Sequence, residues 1–278
     1  MNVLRPRNAP EALRAFSKNP KLTPLAGGTD FMVAWNAGQL QNRVVLDLSR
    51  LKEWKKIQKT KEGIRIGSLV THRRIQEHPV VRSMFPLLVR ACAEVGGWQI
   101  QNRGTLGGNI ANASPAGDTF PPLSVYEGMV NVLSPRGRKR VPFHQVFAGV
   151  KKTTLQPGEL IESIEIPYLK NRPHHQMFRK VGTRAAQAIS KTVAAGLLWL
   201  KKDKTVQELR FALGSMAPTA RRLKSVESFC LGKRMTPEVV DRACELLVQD
   251  VSPIDDIRST REYRLRVSQN LLRSFLNG

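Results

Sequence analysis

The stretch that most constrains this chain is GGWQIQNRGTLGGNIANASPAGD, Gly96 to Asp118, which holds six of the twenty glycines and three asparagines. Glycine pairs let the main chain turn sharply and approach a ligand that a Cβ would hold off, and successive N–H groups then converge on an anion. Residues 86–95 before it read as a packed helix, so the stretch is expected to be a loop that presents backbone. A second pair stands upstream in PLAGGTDF, Pro24 to Phe31, between an apolar approach and a short helix expected to begin at Asp30. A strand feeding a glycine turn and a helix N-terminus is an anion site by geometry. Two such loops point to one diphosphate held between them.

Periodicity places the remaining elements. Asn8 is expected to cap a helix with Pro10 in its first turn and Ala12, Leu13 and Phe16 on its buried face, ending near Asn19-Pro20. Residues 22–26 and 44–48 read as short strands, 31–37 as a helix capped by Thr29-Asp30, and 55–70 as a hairpin turning at 61–63. Thr71 caps the next helix, and residues 79–94 space their apolar side chains as one further helix. A buried helix at 121–126, a hairpin over 129–147 and a half-buried strand at 160–166, closed by Pro167, follow. The polar, Pro-containing segment 171–175 is the expected domain boundary. Beyond it, strands at 177–181, 189–200 and 206–213 precede helices at 221–231, 237–248 and 261–276, the order of an α+β domain.

At 278 residues the chain is long enough for two domains and a large core. Its net charge of +23 raises a nucleic-acid reading, but the cations are scattered, aromatics are 6%, and no aromatic/basic platform repeats, so direct nucleic-acid binding is not expected. No apolar run is long enough to cross a bilayer, and Arg5, Arg7 and Pro10 interrupt any leader pattern, so the cytoplasm is the expected compartment. Cys92, Cys230 and Cys244 lack metal-ligand spacing and are expected to be reduced core residues; no metal site is expected. Neither GxGxxG after a strand nor GxxxxGK[ST] occurs, Ser114 lacks a nucleophile elbow, and His174-His175 reads as linker surface. Anion-binding loops without acid/base residues point to a bound cofactor that brings its own reactivity.

Residues 24–30, 99–118 and 157–167 together resemble the flavoprotein (medium) subunits of molybdenum hydroxylases, of the xanthine dehydrogenase and carbon monoxide dehydrogenase type. FRKVGTRAAQAIS at 178–190, FALGSMAPTARR at 211–222 and PIDDIRSTREYR at 253–264 extend the resemblance over essentially the whole chain. It implies an α+β protein. A two-subdomain FAD-binding fold of the vanillyl-alcohol-oxidase (PCMH) type over 1–170, divided near residue 52, would be followed by an α+β C-terminal domain over 171–278. The resemblance further implies that Leu25, Ala26, Gly27, Gly28, Thr29 and Asp30, with Thr105, Leu106, Gly107, Gly108 and Asn109, hold the FAD pyrophosphate through backbone N–H groups, helped by the Thr29 and Thr105 hydroxyls. Asn112 and Asp118 match positions on the adenosine half and its ribose, Leu160 and Ile161 pack near the cofactor, and Lys180 reaches the flavin side.

The implied partners are a large subunit carrying a molybdenum cofactor and a small one carrying [2Fe–2S] clusters, with NAD or another molecule as electron acceptor. Gln101 stands where the family usually has arginine, and Gln187 where some eukaryotic relatives carry a carboxylate. The cysteine-bearing insertion of some relatives is missing, so no cluster is expected in this chain. A basic binding or assembly protein that has lost FAD is the rival reading, and the intact glycine pairs argue against it. An independent flavin oxidase is weakened by the lack of a candidate base.

Overall fold

The computed structural model describes residues 2–19 and 21–278. Three larger sheets follow one another along the chain, with a two-stranded one set within the span of the second. The first unit contains β1 (Val3–Leu4), α1 (Ala9–Lys18), β2 (Thr23–Leu25), α2 (Phe31–Asn36) and β3 (Val45–Asp47), with the strands parallel in the order β1-β3-β2. Asn8 caps α1 by accepting from the Glu11 N–H, and Ala12, Leu13 and Phe16 pack down on Leu46 and Trp54. Asn19 closes that helix, and the expected stop at Pro20 lies outside the described residues. Asp30 stands at the head of α2 in helical conformation and makes no side-chain cap, contrary to expectation. Nothing in α2 is buried.

The second unit runs through β4 (Ile57–Lys59), β5 (Gly63–Gly67), α3 (His72–Glu77), α4 (Pro79–Met84), α5 (Pro86–Ala93), α6 (Trp98–Arg103), α7 (Leu106–Asn112) and α8 (Phe120–Val125). It is completed by β6 (Met129–Ser134), β7 (Gly137–Pro142), β8 (Phe147–Gly149), β9 (Lys152–Thr153) and β10 (Leu160–Pro167). Five strands pair antiparallel in the order β4-β5-β10-β6-β7. Alternation sorts their faces. Ile64, Ile66, Val130, Val132, Ile164 and Ile166 turn to the core, while Arg65 and Arg140 on the other face both pair with Glu165.

Two expectations are corrected here. The single helix over 79–94 is two, because Pro86 has no N–H to give and pushes Phe85 out of helical conformation (φ −133°, ψ 54°). The glycine-rich stretch is not an open loop: most of it is α6 and α7, with Thr105 capping α7 through the Gly108 N–H.

The third unit is an antiparallel sheet in the order β11-β12-β13-β14, formed by β11 (His175–Val181), β12 (Thr192–Leu200), β13 (Val206–Gly214) and β14 (Arg221–Arg222), with α9 (Lys224–Cys230), α10 (Pro237–Leu246) and α11 (Arg261–Asn277). The unbroken apolar run of β12 is explained by burial on both faces. Val193, Ala195, Leu197 and Trp199 face the helices of the second unit, while Ala194 and Leu198 face α9 to α11. The core is thus continuous across residues 171–175. His175 is no surface linker: it opens β11, and its ring stacks on Phe275 at 4.7 Å.

Candidate cofactor site

A cleft of about 610 Å³ lies where the first and second units meet. Leu25, Ala26, Gly27, Gly28, Thr29 and Asp30 line one wall. Thr105, Gly107, Gly108, Asn109 and Asn112 line the other, and Leu160 and Ile161 join Leu155 in an apolar flank. Two glycine segments 80 residues apart are therefore brought face to face. The reason is visible in the backbone: Gly27 packs so closely on the end of α6 that an added Cβ would fall 1.9 Å from the Arg103 carbonyl oxygen.

The two walls differ in what they offer. No acceptor among the described residues takes the N–H groups of Gly27, Gly28, Thr29 or Asp30. Gly28 turns the chain at φ +82°, and an added Cβ there would meet only Leu25 at 3.7 Å. Four adjacent donors without partners, on a wall with open space before it, form a nest for an anion. The second segment differs from the expectation that it, too, supplies free N–H groups. The Leu106 and Gly107 N–H groups donate to Val70 and Ser68 carbonyls, that of Asn109 to Thr105, and that of Gly108 to Thr105 Oγ1. Two of these donors go to segment 68–72 and two to Thr105, and of the N–H groups of residues 105–109 only that of Thr105 has no acceptor among the described residues. What remains toward the cleft is the Thr105 hydroxyl proton and the Cβ-less surface at Gly108.

Three of the sequence-predicted residues do not line the cleft. Leu106 is buried in the hydrophobic core. Asp118 and Lys180 meet each other instead, Lys180 Nζ lying 2.7 Å from Asp118 Oδ2 and 2.8 Å from the Glu94 carbonyl oxygen. The resemblance put these two at opposite ends of FAD. Their contact puts them at one point, and an extended dinucleotide cannot have its adenosine and its flavin at the same place. Burial pushes the Asp118 carboxyl up to about 6 against the pull of the Lys180 ammonium, and its Oδ1 has no partner among the described residues.

Asn112 accepts from Lys151 Nζ at 2.7 Å, and the same ammonium lies 3.7 Å from Asp30, so one lysine ties the two walls at the surface. Sequence reasoning missed Lys151, as it missed Ser68, Leu69 and His72, which line the floor. Trp98 is 61% exposed beneath the Arg73 guanidinium. Gln101 fills the arginine position as a buried amide, donating to the Ala93 carbonyl and accepting from Gln76. Gln187 takes a left-handed conformation and rests against Gly97.

Donor nest, Cβ-free surface and apolar flank fit a large apolar cofactor with an anionic middle. Residues 1–169 match the family described as the FAD binding domain in molybdopterin dehydrogenase, and residues 177–278 the CO dehydrogenase flavoprotein C-terminal domain. The chain belongs to this family: it is an oxidoreductase subunit, and its cofactor is FAD. It is 28% identical to the xanthine dehydrogenase FAD-binding subunit of Escherichia coli O157:H7, over 96% of this chain and 91% of that one. It is 29% identical to the carbon monoxide dehydrogenase medium chain of Hydrogenophaga pseudoflava, over 91% and 88%. A solved carbon monoxide dehydrogenase from Hydrogenophaga pseudoflava, lacking the Mo-pyranopterin moiety, superposes with a TM-score of 0.93 at 26% identity, covering all of this chain and 96% of its counterpart.

Proposed function

We propose that this chain is the electron-transfer subunit of a molybdenum-dependent hydroxylase in the cytoplasm, receiving electrons from a small [2Fe–2S] partner and delivering them to NAD or another acceptor. A large molybdenum-cofactor subunit would oxidise the substrate. Residues 1–170 form the FAD-binding domain in this reading, as two subdomains parted near residue 52, and 171–278 the C-terminal flavoprotein domain. Bound FAD supplies the redox chemistry.

The chain's own residues bind, orient and exclude water. The free N–H groups of Gly27 to Asp30 take the diphosphate, and the hydroxyls of Thr29 and Thr105 add donors. Gly108 lets the second wall come close, while Leu25, Leu160 and Ile161 keep water from the apolar part. Asn112 stands at the adenosine side. Asp118 and Lys180 pair with each other away from the residues that line the cleft and are assigned no contact with the cofactor.

The observation that carries this reading is the row of four partnerless N–H groups facing a Cβ-free wall. Anaerobic mixing of the FAD-loaded chain with NADH tests the acceptor. Rapid bleaching of the visible flavin band supports NAD; bleaching by dithionite but not by NADH removes NAD and leaves another acceptor.

A further inference from the structure

Three chain segments meet at one end of the third sheet. Residues 170–174 lead into β11, residues 201–205 join β12 to β13, and residues 231–234 follow α9. Hydrogen bonds hold them together there: the Leu200 N–H donates to His174 Nδ1 at 3.1 Å, Trp199 Nε1 to the Asn171 carbonyl at 3.0 Å, and the Val206 N–H to the Lys233 carbonyl at 2.8 Å. Six cations stand exposed on these segments, Lys170, Arg172, Lys201, Lys202, Lys204 and Arg234. None of the six is in an ion pair among the described residues. The segments carry one carboxylate, Asp203, and it is already engaged. Its Oδ1 accepts from the Thr205 hydroxyl and N–H, which hold it below the usual carboxylate range, with the charges of Lys201 and Arg234 adding to the effect.

Like charges gathered without counter-charges repel one another, and an anionic surface laid against them relieves that repulsion. The composition of the patch says which surface. Contacts between proteins favour arginine and aromatic side chains and disfavour lysine, whereas four of these six cations are lysine and the three segments hold no Phe, Tyr or Trp. Single-stranded nucleic acid also calls for aromatic side chains, on which its bases stack. The patch further carries Leu231, 59% exposed, beside Gly232, which turns the chain at φ +76° in open space. An apolar side chain among lysines suits the boundary between lipid headgroups and acyl chains, and a phosphate backbone offers it no counterpart. We propose that this end of the third sheet is a docking surface for a membrane of anionic phospholipid, with the six cations on the headgroup phosphates and Leu231 entering the boundary below them. None of these residues lines the cofactor cleft, so the surface is separate from the FAD site.

The full chain is co-sedimented with vesicles of equal parts phosphatidylglycerol and phosphatidylcholine, and with vesicles of phosphatidylcholine alone. It should bind the mixed vesicles only, and more weakly as salt is raised. A lysine near an anionic surface changes binding about fivefold, so Lys201→Gln, Lys202→Gln and Lys204→Gln combined should weaken it on the order of a hundredfold. Leu231→Ser should weaken it about tenfold. Lys52→Gln, Lys59→Gln and Lys61→Gln combined reach the same net charge from another part of the chain and should change binding far less. All the substituted residues are exposed, so these variants should fold. Equal weakening by the two triple variants overturns the proposal, because net charge alone would then account for binding. A natural chain that ignores both vesicles, or binds both alike, overturns it as well. Duplex DNA bound through the three lysines 201, 202 and 204 by a chain that ignores the vesicles assigns the patch to nucleic acid instead.

Discussion

At Gly107 a methyl group would sit 2.4 Å from Ser68 Cβ and 2.7 Å from the Ser68 carbonyl oxygen, whereas at Gly108 the nearest atoms are the rotatable Thr105 hydroxyl and, at 3.7 Å, Ala26 Cβ. One glycine of the pair serves the fold, and the other, in the proposed site, serves the ligand. Gly107→Ala should therefore lower the urea midpoint by the equivalent of roughly 1–3 kcal/mol, the cost of overpacking. Gly108→Val meets only the Thr105 Oγ1 cap closely, at 2.9 Å, and should cost no more than that cap, about 1 kcal/mol, while weakening FAD binding by about tenfold, or about 1.4 kcal/mol. Equal effects of both substitutions on both readouts would sink the distinction. A second residue-scale expectation concerns acid. His72 holds fewer protons folded than unfolded between pH 6.5 and about 4, so the stability it contributes is complete above 6.5 and is lost as the pH falls toward 4. The loss in the FAD-free chain is on the order of 3 kcal/mol, and denaturation of His72→Gln at both pH values should show that part of the pH dependence gone.

At the scale of elements, α7 depends on its cap. Thr105 accepts from the Gly108 N–H, and Leu106 and Gly107 give theirs to the neighbouring segment, so the first turn is fully satisfied without help from α6. Thr105→Val keeps the shape and removes the cap, with an expected cost of about 1 kcal/mol in denaturant titration; Thr105→Ser should be close to neutral. Much of this level is legible in the chain itself. Asn8 and the spacing of Ala12, Leu13 and Phe16 specify α1, the apolar run of β12 announces a strand buried on both faces, and the two glycine pairs locate both walls of the cleft. Other features were not legible, for physical reasons. A proline inside an apolar helical pattern was overridden by periodicity at Pro86, and many glycines hid two short helices whose caps lie outside the apolar count. Ser68 and His72 give no local signal, because only the fold brings segment 68–72 against the second glycine pair.

At the scale of the whole molecule, 45 Lys and Arg against 22 Asp and Glu leave the surface strongly basic, and many of its ion pairs are exposed and individually weak. Charge of one sign spread over a surface favours an acidic partner and acts mainly on the rate of encounter. Assembly with the partner subunits should slow as sodium chloride is raised, with the association rate falling more than the dissociation rate rises; a salt-independent rate contradicts a docking role for the charge. The third sheet shares its core with the helices of the second unit, so this surface is carried by one continuous body. The central claim is that FAD lies in the cleft with its diphosphate on the nest of Gly27 to Asp30, and amide hydrogen exchange with and without FAD tests it most directly. These four N–H groups have no acceptor among the described residues and should exchange quickly in the FAD-free chain, then become strongly protected on binding. Leu106 and Gly107, already bonded to Val70 and Ser68, should change far less. Protection of Gly27 to Asp30 that appears only with FAD supports the site, and bound FAD that leaves them exchanging as before contradicts it.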